Sequence, residues 1–440
     1  MRQIPPAPPG AIAEAARFTA AYRWYALGLL LAAYTLNYLD RIVLSIVLQP
    51  IKTELQLSDT QLGLLTGFSF AALYVAAGLP IARLADHYSR RAILTACIAV
   101  WSGMTAVTAW ASTFAHLLLA RMGVAVGESG CSPAAQSLIS DLFPRDKRAT
   151  AMSIFGMGVP LGMLIGMPLG GIIAQEYGWR AAFLVAGVPG IVLAVLFALT
   201  MREPPRGHSD PGRPDAPDAT PPPLKALLAQ LWHSRAYRHA VIATMLNGTG
   251  TLAGTIWVPA FLMRSYGLSL AETGIALGII NGALRALGTW LGGFLSDRLA
   301  VADMRRYLGV PALITMLAFP INAGGFIAHS LPVTLLLLGI ASVFEGVAGG
   351  PTAAACQRLA PVRGRAMAAA VNLVIVQMLG LGLGMQVIGI VSDALNARFG
   401  QESLRYALLC VSVVFLWAGL HLRLAARALP DEVRRAETGA

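Results

Sequence analysis

Acidic and basic side chains lie deep inside the long apolar runs of this 440-residue sequence. Asp40 and Arg41 are in the first run, and Arg121 and Glu128 are in the fourth. A charge at the centre of a bilayer costs at least about 2.5 kcal/mol unless it is paired or hydrated, so each is a candidate functional residue. Arg121 and Glu128 are seven positions apart, which places them on one helix face with an axial offset of roughly 10 Å.

These four charges are predicted to form a network that carries protons. A carboxyl group gains affinity for a proton when it is desolvated and loses affinity when an arginine approaches. Switching between the two surroundings would make Asp40 and Glu128 proton carriers, with Arg41 and Arg121 as their partners. The alternative is a static cluster of ion pairs that only fixes helix packing.

A second group of polar residues is placed to bind an anion. Arg285 follows Asn281 by about one helical turn in the eighth apolar run, and Glu345 lies in the tenth. A guanidinium group binds phosphate or carboxylate through two hydrogen bonds, and Glu345 is a possible partner for Arg285. Whether these side chains face a cavity stays open. The predicted substrate-binding residues are Arg41, Arg121, Asn281, Arg285 and Glu345.

The elements that must position these residues are membrane-spanning helices. The sequence is 56% hydrophobic and 12% charged, too apolar for a soluble fold of this length. A helical span needs about 20 apolar residues, and lipid forces the backbone to satisfy its own hydrogen bonds. We therefore predict an all-α membrane protein with twelve transmembrane helices. The runs are 24–47, 60–82, 92–112, 115–138, 148–174, 180–200, 238–262, 272–295, 307–328, 331–355, 366–392 and 404–424.

The basic residues alternate between the two sides of this predicted bundle. With a cytoplasmic N-terminus, 25 Lys and Arg residues lie in the cytoplasmic loops and tails and 5 in the opposite loops. This bias is typical of the positive-inside rule and places both termini in the cytoplasm. The net charge of +11 therefore does not indicate nucleic acid. We expect no cleavable signal peptide and a location in a bacterial inner membrane.

Motifs for enzymatic chemistry are missing from the sequence. It contains no H-E-x-x-H, G-x-S-x-G or G-K-[ST] motif, which argues against a metalloprotease, a serine hydrolase or an ATP-driven pump. The four cysteines lack the spacing of metal ligands and are predicted to be reduced packing residues. We expect no enzyme activity, no metal and no cofactor.

The chain divides into two similar parts around a proline-rich stretch at 201–223. The predicted domains are a six-helix half at 1–200, a cytoplasmic linker at 201–236 and a second six-helix half with its tail at 237–440. A short pattern recurs in both halves, with a small residue four positions before an aspartate and a pair of arginines after it. The copies comprise Ala82, Asp86, Arg90 and Arg91, and Gly293, Asp297, Arg298, Arg305 and Arg306.

The duplicated pattern resembles the signature loop of the major facilitator superfamily, G-x-x-x-D-R-x-G-R-R. An aspartate at a helix end that faces arginines can hold two halves closed by an ion pair. We predict that Asp86, Arg90, Arg91, Asp297 and Arg298 form a gate on the cytoplasmic side. The alternative is that these charges only anchor the loops at the lipid headgroups.

Glycines repeat every four residues in the fifth run, at Gly158, Gly162, Gly166 and Gly170. Such spacing presents one face without side chains and predicts close packing against a neighbouring helix.

Longer stretches of the first half resemble the spinster family of lipid transporters. The resemblance lies in NYLDR at Asn37–Arg41, in GLLTGFSFAALYVAAGLPIARLADHYSRR and in RMGVAVGESGCSPAAQSLISDLFP at Arg121–Pro144. It implies a proton-coupled or facilitative carrier of lysophospholipids or sphingoid phosphates, in which Asp40, Arg41 and Glu128 are the coupling residues.

A second family, the anion:cation symporters of sugar acids and other small organic anions, has a similar Asp-Arg pair and fourth-span Arg and Glu. Its fourth span usually ends in Trp-Phe-Pro, whereas Leu142 precedes Phe143 and Pro144 in this sequence. The expected mechanism in both cases is alternating access, in which protonation shifts the balance between inward- and outward-open states.

The partners expected are protons, an amphiphilic anionic substrate and membrane lipids, but no nucleic acid, and the chain is expected to be a monomer. A receptor that binds a ligand without moving it is a further alternative.

Overall fold

The computed structural model describes residues 18–206, 208, 209, 229, 231–359 and 374–438. In this part of the chain, nine helical runs are long and apolar enough to cross a membrane. Two of them, Thr150–Thr200 and Val376–Arg434, turn back on themselves at Gly178 and Gly400. Both glycines have positive φ angles, 82° and 55°, which side chains other than glycine rarely adopt.

Twelve spans can be followed through the described residues, and the all-helical fold class predicted from the sequence is confirmed. Their bounds are α1 Ala20–Leu55, α2 59–87, α3 Arg90–Val107, α4 114–142, α5 145–177, α6 179–200, α7 Arg235–Tyr266, α8 Leu270–Ala300, α9 Arg306–Ile327, α10 Leu331–Leu359, α11 376–399 and α12 Ser403–Thr438. The predicted linker at 201–236 lies mostly outside the described residues, so the division into domains stays a prediction.

The glycine-rich face of α5 packs against α1. A Cβ atom on Gly162 would lie 2.7 Å from the carbonyl oxygen of Thr35, and one on Gly158 would lie 2.9 Å from Cβ of Tyr34. The close packing predicted from the four-residue spacing is confirmed. Because α1 carries Asp40 and Arg41, this contact fixes the helix on which the first charges stand.

The two halves meet along two seams, one between α2 and α11 and one between α5 and α8. A Cβ on Gly389 would lie 2.3 Å from the Asp59 carbonyl oxygen, and one on Gly274 would lie 2.3 Å from the Met167 carbonyl oxygen. π-helical turns lie within α2 and α8 and at the start of α11, three of the four spans that form these seams. Such turns are rare and often mark functional sites. The π-helical turns comprise Leu64–Phe68, Gly278–Leu284 and Val376–Leu383.

Polar side chains also join the halves on the side of the bundle opposite residues 18 and 438, here called the outer side. Arg264 in α7 donates to both carboxylate oxygens of Asp59 in α2, at 2.7 Å each, and its Nε donates to Gln49 at 2.7 Å. Lys52 also pairs with Asp59, and Asp393 accepts hydrogen bonds from the backbone N–H groups that begin α2. We call these five residues the outer network. They connect the two halves on this side.

Three of the four cysteines are buried, as the sequence indicates for packing residues. Cys410 in α12 does not fit the prediction of a packing residue, because its side chain is exposed.

Replacing Gly162 by alanine is expected to destabilise the fold by about 1–3 kcal/mol, because the new Cβ is forced against the backbone of α1. The measurement is the melting temperature of the purified protein in detergent. Gly156→Ala is the matched control, since a Cβ there would meet nothing within 4 Å. Equal melting temperatures for the two variants would contradict the packing described.

Candidate functional site

Glu128 in α4 binds the guanidinium group of Arg41 in α1 inside the first half. Nε of Arg41 donates to Oε2 of Glu128 at 3.0 Å, and Nη2 donates to the same oxygen. Glu128 is 1% exposed. The sequence predicts Arg41 and Glu128 as members of one network, and the structure brings them into direct contact.

Glu128 and Asp40 each have a buried carboxylate oxygen without a hydrogen-bond donor among the described residues. These atoms are Oε1 of Glu128 and Oδ1 of Asp40. The other oxygen of Asp40 accepts from the hydroxyl of Thr105 in α3 at 3.3 Å. A buried carboxylate oxygen without a donor is costly. The hydrogen bonding of both Asp40 and Glu128 is therefore incomplete in this structure.

Arg121 in α4 lies beside Asp40 without pairing to it. The two residues line one cavity of about 10 Å³, together with Thr105, Leu117 and Phe183 among others. Within the described part of the chain Arg121 forms no ion pair, and its Nε has no hydrogen-bond acceptor. Its guanidinium carbon instead lies 4.5 Å from the centre of the Phe70 ring in α2.

Phe70 is a site residue that the sequence analysis does not predict. It is fully buried, and the guanidinium group of Arg41 also lies over its ring, at 4.8 Å. Tyr38 and Tyr74 present their rings to Arg41 at 5.2 and 5.5 Å. Nothing in the apolar sequence of α2 separates Phe70 from the neighbouring residues that face lipid.

The second half contains an ion pair whose carboxylate is fully hydrogen-bonded. Nη2 of Arg285 in α8 donates to Oε2 of Glu345 in α10 at 3.0 Å. Asn322 in α9 donates to Oε1 of Glu345 at 3.0 Å, and Nη1 of Arg285 donates to Thr255 at 2.8 Å. The pairing of Arg285 with Glu345 considered from the sequence is therefore present. Asn322 and Thr255 are partners that the sequence did not indicate.

These residues border a small cavity of about 20 Å³, which is large enough for one water molecule. Asn281, predicted together with Arg285, lines the same cavity and is 4% exposed. Its Nδ2 lies 3.9 Å from the sulfur of Met167 in α5, so it stands at the seam between the halves. The cavity brings the predicted residues of the second half together.

Arg90, a predicted gate residue, is buried against its own half. Its Nε donates to Oε1 of Glu203 at 2.8 Å, and it also pairs with Asp141 at the end of α4. The backbone N–H of Arg91 donates to Oε2 of Glu203 at 2.8 Å. These contacts join the start of the 201–236 segment to the first half. Asp141 and Glu203 are partners that the loop pattern alone could not identify.

The other predicted gate residues are placed as follows. Asp297 and Arg298 are exposed at the end of α8, and Arg298 lies over the Phe294 ring at 5.9 Å. The side chain of Asp86 lies outside the described residues. The gate on the side of the termini stays a prediction.

The sequence profile of the Major Facilitator Superfamily matches residues 30–385, most of the twelve-helix bundle described above. The chain belongs to the major facilitator superfamily. Members of this superfamily are transporters rather than enzymes, so the exclusion of enzyme activity made from the missing motifs is confirmed.

A comparison with solved structures gives a more specific similarity within the superfamily. The bundle is similar to the crystal structure of a bacterial homologue of the human lysosomal transporter spinster in an inward-facing, unoccupied conformation. The TM-score is 0.86 at 30% identity, covering 94% of this chain and 99% of the other. The resemblance to the spinster family drawn from the sequence is confirmed.

The chain is also similar to three named transporters. An MFS-type efflux pump of Mycolicibacterium smegmatis is 33% identical over 388 residues, 88% of each chain. The sphingosine-1-phosphate transporter SPNS2 of Danio rerio is 27% identical, covering 94% of this chain and 86% of the relative. A hexuronate transporter of Bacillus subtilis is 28% identical, covering 71% and 75%.

Glu203 gives the transporter a pH-dependent contact outside its spans. Burial alone would raise the pKa of Glu203, but hydrogen bonds from the Arg91 backbone, Arg90 and Ser89 outweigh it and hold the pKa below the ordinary value of about 4.3. A lowered pKa means that the charged form stabilises the fold. That contribution is present above the ordinary pKa and is lost as the pH falls through the lower, folded-state pKa.

We expect Glu203→Gln to lower the melting temperature at pH 7 by roughly 1–2 °C, because the side chain is part-exposed and its ion pair is screened. The difference from the wild type should shrink as the pH falls through the lowered, folded-state pKa of Glu203, because the glutamate then becomes protonated and is uncharged like glutamine. Melting curves in detergent at several pH values test this. Glu176→Gln, at an exposed position near the end of α5, is the control and should show no such trend.

Proposed function

We propose that this transporter is a proton-coupled carrier that moves an amphiphilic anion, of the lysophospholipid or sphingoid phosphate type, by alternating access. The observation that supports it is the arrangement of Asp40 and Glu128, two buried acids that each have an oxygen without a donor, beside Arg41 and Arg121. The names of the spinster relatives support the substrate class.

The charge balance of the first-half site links protons to anion binding. With both acids ionised, the two carboxylates offset the two arginines and the site is neutral. Protonation of Asp40 and Glu128 leaves two positive charges in a poorly solvated place, which attracts an anionic headgroup strongly. Arg41 then has its guanidinium group free for phosphate or carboxylate. Proton and substrate would therefore favour each other's binding.

The second half contributes a cation that does not depend on protons. Glu345 accepts one hydrogen bond at each oxygen, from Arg285 and from Asn322, so its charged form is satisfied. The pair is neutral overall, and it holds the guanidinium group of Arg285 beside the seam, where Asn281 also lies. Arg285, Asn281 and Glu345 are proposed as the substrate contacts of the second half.

The outer network supports an assignment of this conformation as inward-facing. Asp59 belongs to the first half and Arg264 to the second, so the outward-open state requires their two hydrogen bonds to break. In that state the opposite side must close. Asp86, Arg90, Arg91, Asp297 and Arg298 are proposed to take part in that closure. For Arg90 this would require exchange of its present partners.

The bias of Lys and Arg between the loops supports cytoplasmic termini and, in a bacterial cell, insertion in the inner membrane. Both halves belong to one chain, so the proposed transporting unit is a monomer.

A second candidate is proton-coupled symport of small organic anions. The hexuronate transporter of Bacillus subtilis and a probable L-galactonate transporter of Escherichia coli, each 28% identical, favour it. The same arginines would bind a sugar carboxylate. The two candidates differ in whether an apolar chain contributes to binding.

Glu128→Gln is expected to abolish accumulation that is driven by a pH step, since glutamine keeps the shape of the side chain but cannot release a proton. The measurement is uptake of labelled lysophospholipids, sphingoid phosphates and sugar acids into liposomes with and without a proton gradient. Asp40→Asn should lose gradient-driven uptake as well, while Glu176→Gln should retain it. Undiminished pH-driven uptake by both Asp40→Asn and Glu128→Gln would exclude the proposed coupling.

Binding of a lipid substrate should weaken as its acyl chain is shortened. Each buried methylene contributes about 0.8 kcal/mol, so removal of two is expected to raise the Kd more than tenfold. A series of lysophospholipids with one headgroup and decreasing chain length, compared by thermal shift and direct titration, tests this. Affinity that is independent of chain length would favour the small-anion candidate.

A further inference from the structure

The ring of Phe70 contacts both arginines of the first-half site. The guanidinium carbons of Arg41 and Arg121 lie 4.8 and 4.5 Å from its centre, and the side chain is completely buried. The face of an aromatic ring attracts cations, and the attraction is strongest where water is excluded. Phe70 is therefore a binding partner for two charges, in addition to its role in packing.

Arg121 lies over the ring of Phe70 although the acid Asp40 is nearby, which is unusual. Asp40 and Arg121 line the same cavity of about 10 Å³. Both are more than nine-tenths buried, and each has a polar atom without a hydrogen-bond partner among the described residues, Oδ1 of Asp40 and Nε of Arg121. Opposite charges in such a place normally pair, since pairing offsets their desolvation. Some other interaction must keep the arginine away from the acid.

Among the groups around Arg121, the aromatic ring of Phe70 is the one that can hold it away from Asp40. The ionisable groups that act on the two arginines are Asp40, Glu128, Tyr38 and Tyr74, and Cys131 lies near Glu128. Glu128 already pairs with Arg41 through Oε2. The rings of Tyr38 and Tyr74 lie over Arg41 rather than Arg121. Only Phe70, among the described rings, lies over Arg121.

We propose that Phe70 is a positioning residue, whose ring holds the guanidinium group of Arg121 away from Asp40 and so leaves Oδ1 of Asp40 free to take up a proton. The proposal rests on the proton coupling proposed above. If the ring attracted the cation less, Arg121 would move to the free oxygen of Asp40. The ion pair would then stabilise the charged carboxylate, and loading of the proton would require a lower pH.

The experiment weakens the attraction of the ring without changing its shape. Phe70 is replaced by fluorinated phenylalanines with one, two and three fluorine atoms, which draw electron density from the ring face. Infrared spectroscopy of the full-length protein in lipid nanodiscs follows the carbonyl band of the protonated carboxyl group, assigned by its loss in Asp40→Asn. We expect the pH of half-protonation to fall stepwise with fluorine number, by roughly half to one unit in total.

Phe183 provides the matched control. It lines the cavity of Asp40 and Arg121, but among the described contacts no guanidinium group lies over its ring. Fluorination of Phe183 should leave the midpoint unchanged. Phe70→Leu, which removes the ring face altogether, should shift the midpoint at least as far as three fluorines. Because the fluorinated side chains keep the size of phenylalanine, the test does not depend on whether the leucine variant folds.

A midpoint that is unchanged by fluorine at Phe70, an equal shift with fluorine at Phe183, or an Asp40 band that does not titrate would each overturn the proposal. The infrared titration needs no substrate and no transport. Its failure is therefore distinguishable from failure of the proposed function, which is decided by gradient-driven uptake of the wild-type protein and Glu128→Gln.

Discussion

The contact between Arg41 and Glu128 joins α1 to α4 in the apolar interior, and the other charges of the first half are arranged around it. It occupies only one oxygen of the glutamate. A fully hydrogen-bonded ion pair would fix the two helices together, whereas in this pair Oε1 of Glu128 has no hydrogen-bond donor among the described residues. The close packing of α1 on the glycine face of α5 fixes the position from which Arg41 reaches across. The site is therefore rigid in its backbone and incomplete in its hydrogen bonding.

The two halves each contain an Arg–Glu ion pair, but the hydrogen bonding of the glutamate differs between them. Each has an arginine paired with a glutamate inside the membrane, Arg41 with Glu128 and Arg285 with Glu345. In the second half Asn322 satisfies the remaining oxygen. An amide donor stabilises a carboxylate and gives a carboxylic acid no comparable advantage. Each half thus has one charge pair inside the membrane, and the pairs differ in whether their glutamate has an oxygen without a donor.

Most of the architecture could be predicted from the sequence because lipid restricts the possible folds so strongly. Apolar runs of about 20 residues have few alternatives to a spanning helix, and glycines at 158 to 170 have no function on a face exposed to lipid. The candidate charges could be found for the same reason, since Asp40, Glu128 and Glu345 are costly unless they are used. The partners of these charges could not be found in this way. Helix spacing puts Arg121 and Glu128 on one face, yet Glu128 binds Arg41, because a 10 Å axial offset is too long for direct contact.

The network of Gln49, Lys52, Asp59, Arg264 and Asp393 borders a cavity of about 370 Å³ with a polar lining. A volume of that size holds several water molecules beside the contact between the halves. If Asp59 and Arg264 separated, water in this cavity would hydrate both charges. Neither would then be left desolvated without a partner. A hydrated contact of this kind holds the closed state and costs little to separate, which suits the alternating access proposed for this protein.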